Sequence, residues 1–450
     1  MNLNISYMNN FKVFIWSITV ALGGFLFGFD TAVISGAEQA IQKVWGLNSL
    51  EHGLTVSIAL IGTVIGAMLG GIPSDRIGRK KTLIWIAVLY LISAIGSALA
   101  FDWSVFMIFR FLGGLGVGAS SVAAPLYISE ISPASKRGRL VALFQFNVVF
   151  GIVVAYGSNY LLAGIGPLAW RWMLGVEAIP ALGFLLMLLS VPESPRWLII
   201  KKSDSDTARR TLEVVAEESV DQLIEDIQAS RHVNKDEKGL FSSKQYRWPI
   251  LLAVLFALFN QVSGINAIIY YAPRIFEMTG LGRGSALLSS FGVGFVNLMF
   301  TMLAMAFIDR FGRRRLMLIG SFGLIITLSL VSYAFYTENF MGYAVPIYLF
   351  VYIGFFAFSQ GAVIWVFISE IFPNQVRASG QSLGSFTHWF MAAVISFSFP
   401  FFAEQLGGGH TFMIFAVMMV LQLLFVWKLM PETKGKSLEQ LEEGITHDEE

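Results

Sequence analysis

The chain contains no cysteine among its 450 residues, which excludes a disulfide framework, thiolate nucleophiles and dithiol redox chemistry together. Charge is also scarce. Asp, Glu, Lys and Arg make up 14% of the chain, where soluble domains carry roughly 25%, so an ordinary water-soluble enzyme is excluded. Neither sign is in surplus: 31 basic against 30 acidic residues leave +1 and offer no broad field to a nucleic acid. His52, His232, His410 and His447 are scattered without metal-ligand spacing, and no nucleophile, base and oxyanion-hole set emerges. No metal, cofactor or catalytic centre is therefore expected. What the chain does have is apolar surface: 55% of it is hydrophobic, 40 residues are Phe, and the mean hydropathy is +0.66.

Twelve spans of about 20 residues need about 240 residues, which fits this length with room for one polar insert. Apolar runs of that size lie at about 11–34, 53–72, 82–101, 103–126, 140–163 and 170–191, then at 248–272, 284–308, 315–336, 343–371, 377–403 and 410–430. The first run is too long for the core of a secretory signal and carries Asp30, so it reads as a retained helix. The expected fold is an all-α membrane protein of twelve transmembrane helices in two six-helix halves, 1–191 and 248–430. A cytoplasmic helical linker, 192–247, joins them, and a cytoplasmic tail, 431–450, follows. In the linker Leu212, Val215, Leu223, Ile224 and Ile227 recur at helical spacing. Basic residues crowd the N-terminus and every second loop, whereas the other loops hold only Lys43, Arg274 and Arg283, which places both termini in the cytoplasm.

An internal repeat supports the two halves. DRIGRKK at 75–81 returns as DRFGRRR at 309–315, and YISEISP at 127–133 returns as FISEIFP at 367–373. Glu130 and Arg137 meet their counterparts Glu370 and Arg377 at one spacing of 240. Two copies in the same orientation point to halves related by an axis along the membrane normal.

These motifs, with GFDTAVISG at 28–36, RFLGGLGVG at 110–118, PESPRWL at 192–198, QVSGINAIIYY at 261–271 and PETKG at 431–435, resemble the sugar porters of the major facilitator superfamily. The resemblance covers nearly the whole chain, and PESPRWL with QVSGIN is its most specific part. It implies a carrier in the cytoplasmic (inner) membrane that works by alternating access, as a monomer, with sugar, protons and the lipid bilayer as its partners. Gly113, Gly114, Gly116 and Gly118 lie in an apolar span with no preceding strand, so they read as close helix packing rather than a dinucleotide loop.

Few ionisable groups lie well inside the spans, chiefly Asp30, Arg110 and Glu177. A charge at the membrane centre costs roughly 2.5–3.5 kcal/mol, so each is a functional candidate. Asp30 and Arg110 have opposite sign in the first and fourth spans, and pairing reduces that cost. If the guanidinium swings away in one conformation, the buried carboxylate loses the cation that keeps it ionised and takes up a proton. A permanent pair would only brace two helices. Proton-linked sugar porters carry an acid where this chain has Asp30, so the resemblance argues for symport, with a passive sugar or polyol uniporter of the same fold and a membrane sugar sensor as the alternatives. Glu177 is a candidate proton relay or a packing carboxylate.

The other polar groups in the spans are amides and aromatics, which suit an uncharged solute: an amide both donates and accepts, and an indole face covers the apolar side of a sugar. Gln145, Gln261, Asn266 and Asn297 are such amides. By resemblance they are sugar-binding positions, joined by Phe27, Tyr270, Trp365 and Trp389. Three residues depart from the family pattern. Asn260 replaces a first glutamine, His388 stands where relatives show Asn or Gln, and Ala362 replaces a proline of the tenth span, which puts the break in that helix in doubt. His388 is read as a neutral imidazole in a hydrogen bond rather than as a titrating group. Asp75, Arg76, Arg79, Glu130, Arg137, Glu193 and Arg196 in the first half and Asp309, Arg313, Glu370, Arg377 and Glu432 in the second put opposite charges at helix ends facing the cytoplasm, which read as a latch on the inner gate.

Overall fold

The computed structural model describes residues 2–133, 135–215, 219–229, 240–241, 244–340, 342–372 and 376–434, with side chains from Phe11 onward. Among these residues all regular structure is helical, and twelve helices are long and apolar enough to cross a membrane. They are Phe11–Trp45, Ser49–Leu69, Arg79–Leu99, Trp103–Glu130, Arg137–Ile165 and Ala169–Leu188, followed by Arg247–Met278, Arg283–Phe311, Arg313–Tyr336, Ala344–Glu370, Arg377–Gln405 and Gly407–Lys428. The fold is the expected all-α membrane protein. Each run read from hydropathy falls on one of these helices. The first helix continues eleven residues beyond the apolar run, to Trp45, through Glu38 and Gln42.

Packing divides the chain into two compact units. One takes in the chain up to Thr31, Ile61–Ala155 and the stretch from Arg171 into the insert; the other takes in Ala32–Leu60, Tyr156–Trp170 and the chain from the end of the insert onward. The first, second, fifth and sixth spans therefore each contribute residues to both.

In the first unit glycines let helices touch backbone to backbone. A Cβ at Gly28 would lie 1.8 Å from the Val148 carbonyl oxygen, and one at Gly118 would lie 2.2 Å from that of Thr63. Contact this close replaces the hydrophobic drive that lipid does not supply. The insert folds into Ser205–Val215 and Val220–Ala229. Leu212 and Ile224, from the apolar faces that the spacing predicts, are buried with Trp197, Leu198 and Ile199 of the PESPRWL region. Trp197 Nε1 donates to the Asp75 carbonyl at 2.9 Å and ties the insert to the first D-R-x-G-R loop.

The spans nearest the polar residues are broken. The seventh changes from Arg247–Val262 to Ile265–Met278 at Gly264, whose φ of 86° favours glycine. The tenth changes from Ala344–Phe358 to Gln360–Glu370 at Ser359, so the break persists although Ala362 has replaced the proline. Side chains tie the two broken spans together: the Ser263 carbonyl accepts from Tyr352 Oη at 2.9 Å, and the Gln360 carbonyl accepts from Asn260 Nδ2 at 3.3 Å. Irregular backbone at membrane depth is tolerated because the protein satisfies it. The sixth span is interrupted at Val176 and Glu177, between Ala169–Gly175 and Ala178–Leu188.

Candidate functional site

Asp30 and Arg110 meet. Nη1 of Arg110 donates to Asp30 Oδ1, and Nη2 lies 3.4 Å from the Asp30 carbonyl oxygen. Asp30 is 3% exposed and Arg110 1%, so the pair is dry. Gly113, one turn beyond Arg110, keeps the space open: a Cβ there would come within 2.3 Å of Ser93 Oγ and 3.7 Å of Asp30 Oδ1. Glu177 is also buried, at 2% exposure, and Asp30 and Arg110 are the charges that act on it. Its Oε1 has no hydrogen-bond partner. A second carboxyl is thus buried in the same unit as the ion pair. Separating such a pair leaves an uncompensated buried charge, a cost of about 3–5 kcal/mol that protonation of the carboxylate relieves.

The amide set lies in the second unit and is organised around Gln261. Its Nε2 donates to Asn260 Oδ1 at 2.8 Å and lies 3.1 Å from His388 Nδ1, while its Oε1 accepts from Asn266 Nδ2 at 2.5 Å. An amide nitrogen only donates, so the ring nitrogen facing it presents a lone pair, as a neutral imidazole does. The His388 ring lies 4.9 Å from that of Trp365 and 4.8 Å from that of Trp389. Trp365 is 36% exposed and leaves an indole surface open, whereas Tyr270, Asn297 and Trp389 are buried. Phe27 and Gln145 belong to the first unit, where both are half-buried. Every hydroxyl of a polyol both donates and accepts, so it can take over bonds that these amides now make with one another.

At the helix ends by the basic loops the repeat is kept atom for atom. Arg79 Nε and Nη2 donate to the two carboxylate oxygens of Glu130 at 3.0 and 3.1 Å, and Arg313 does the same to Glu370 at 3.1 and 2.8 Å. Asp75 and Asp309 add a contact of 3.0 Å each. Glu193 accepts the backbone N–H groups of Arg79 and Lys80, and Glu432 those of Arg313 and Arg314, so each caps a helix N-terminus. These bonds join residues within each repeat. Arg137 and Arg377 turn to backbone carbonyls, of Ser129 at 3.1 Å and Phe372 at 3.4 Å, and Arg76 and Arg196 are exposed.

Sequence reasoning missed one group. Glu38, His52 and Arg274 come together, although Glu38 lies past the end assigned to the first span and Arg274 past that of the seventh. An acid at helical spacing from an apolar run, with Gln42 one turn on, was the available signal. No group of three or more His, Asp or Glu that could hold a metal occurs among the described residues; His232 and His447 lie outside them.

Twelve spans, two helices broken where amides line them and a dry ion pair beside a spare carboxyl define a polytopic carrier, which moves a solute rather than converting it. Residues 16–444 match the family described as Sugar (and other) transporter, and the chain belongs to that family. It is 40% identical to a glucose transport protein of Synechocystis sp., over 95% of this chain and 97% of that one. It is 36% identical to the D-xylose-proton symporter of Escherichia coli, over 98% and 97%. The solved inward open conformation of the xylose transporter from E. coli superposes with a TM-score of 0.85, covering 96% of this chain and 99% of that one.

Proposed function

We propose that the chain takes up a neutral monosaccharide, a pentose or hexose, together with a proton, residues 1–191 and 248–430 acting as the two halves of an alternating-access carrier. The buried Asp30–Arg110 pair with the unpartnered Glu177 oxygen beside it carries this reading. Loss of the guanidinium in one conformation drives a proton onto Asp30, Glu177 serves as the relay, and return of the guanidinium expels the proton. The relatives named for glucose transport and for xylose with protons support both the solute class and the coupling. Gln261, Asn260, Asn266, His388, Trp365, Trp389, Tyr270 and Asn297 are the sugar-binding set of the second unit, and Phe27 and Gln145 are the sugar-binding positions of the first. The Arg79 and Arg313 clusters, with Arg137 and Arg377, are the inner gate. Both termini face the cytoplasm of a cell whose inner membrane holds the protein, and one chain suffices.

One charge crossing 100 mV releases about 2.3 kcal/mol, which sustains roughly a fifty-fold solute gradient. Proteoliposomes with an imposed pH gradient test the proposal: labelled xylose or glucose accumulates inside, and a proton ionophore abolishes the accumulation but not exchange. Were Asp30→Asn still to accumulate sugar against its gradient, the pair would be a fixed brace and the coupled proton would bind elsewhere; exchange without accumulation by the parent protein would make it a uniporter.

A further inference from the structure

Away from the basic loops, three helix segments of the second unit converge on Glu38. Both of its oxygens are occupied: Oε1 accepts from Arg274 Nε at 3.1 Å, and Oε2 lies 2.9 Å from Arg274 Nη2 and 2.6 Å from His52 Nε2. Arg274 also donates to Gln42 Oε1, one turn further along the first span. The His52 ring packs against Tyr271 at 6.0 Å. Glu38 and His52 are completely buried, but the Arg274 side chain is 23% exposed, so the tie can be wetted from its cationic end only.

Its backbone setting is that of a hinge. Arg274 directly follows Pro273, and Tyr271 departs from helical geometry at φ −121°, ψ 17°. Proline removes a helix hydrogen bond and loosens the turn before it. The segment that carries Arg274 starts at Gly264, so it is bounded by one break and contains a second. On the other side of the tie, Glu38 stands eight residues from Asp30 on one uninterrupted helix, about 12 Å along its axis. Any movement of that helix acts on both acids. A buried ion pair is weak evidence for stability, because a packed apolar set does as well, and its best-attested use is as a register or switch.

We propose that Glu38, gripped by Arg274 and His52, is an outer latch that fastens the first, second and seventh spans and breaks once in each transport cycle. The proposal rests on the carrier reading. Glu38 moves no proton and touches no sugar; it sets how often the outer ends part.

The absence of cysteine makes the test direct. Val44 and Met278, both exposed at the ends of the first and seventh spans, are replaced in the V44C/M278C protein and spin-labelled without background. Pulsed dipolar spectroscopy in nanodiscs then reads their separation. Arg274→Gln and Glu38→Gln raise the ratio of long to short separations about tenfold, and Arg274→Lys, which keeps the charge without the fork, falls between them and the parent. Unchanged distributions in both glutamine variants, each shown intact by circular dichroism and gel filtration, overturn the latch. If one variant fails to fold, the other and Arg274→Lys decide. Xylose and glucose counterflow by the labelled parent separates the two readings: distances that stay fixed while counterflow persists refute the latch alone, and absent counterflow refutes the carrier reading.

Discussion

Around Arg79 and Arg313 the two repeats carry the same guanidinium fork, the same acid across from it and the same capping glutamate. Around Arg110 they part company: 240 residues on, the equivalent position is Phe350, so the Asp30–Arg110 pair has no counterpart there. Duplicated charges at the basic ends set helix ends and topology, tasks that both halves share. The unduplicated pair costs free energy in lipid, and the second half packs with Phe350 in the equivalent place. An asymmetry retained at such a cost points to the coupled ion, whereas the symmetric clusters point to the conformational change common to the halves.

Asp30→Asn should break this contrast most strongly. Accumulation falls from about fifty-fold to unity, read as labelled sugar in energised vesicles, while counterflow continues; Glu370→Gln has no such selective effect. Gln261→Ala comes next. It strands Asn266 and Asn260 in a dry site at about 1–3 kcal/mol, so the half-saturating sugar concentration in counterflow rises about 5- to 150-fold. Glu130→Gln and Glu370→Gln sharpen the comparison from the other side: each weakens one charged fork, and both should slow uptake by about tenfold or less and to a similar degree. Unequal effects would show that the repeats are not equivalent at that face. The smallest effect belongs to the exposed Arg209–Asp221 contact of the insert, where Asp221→Asn should leave initial uptake rates unchanged.

The twelve spans and the repeat were legible because hydropathy and period survive without tertiary context. So was Asp30 with Arg110, since two opposite charges in oil have few other ways to be satisfied. The acid at residue 38 was not, because a charge ends an apolar run when hydropathy alone is read; only the fold shows that Arg274 pairs with it, that His52 lies beside it and that the helix continues to Trp45. The break in the tenth span was misjudged for a related reason. Proline is one cause of a broken helix, but here Ser359 stands at the break, its Oγ bonded to the Phe355 carbonyl at 2.6 Å and housed beside Gly320, where a Cβ would come within 1.9 Å of it. Sequence spacing does not say that Glu130 turns back to Arg79.

The most direct measurement of the coupling is a pH electrode in a lightly buffered suspension of proteoliposomes given a sugar gradient and no imposed pH gradient. The account predicts that xylose or glucose entry turns the medium alkaline, with the signal absent from Asp30→Asn; sugar entry at the same rate with no movement of protons would contradict it.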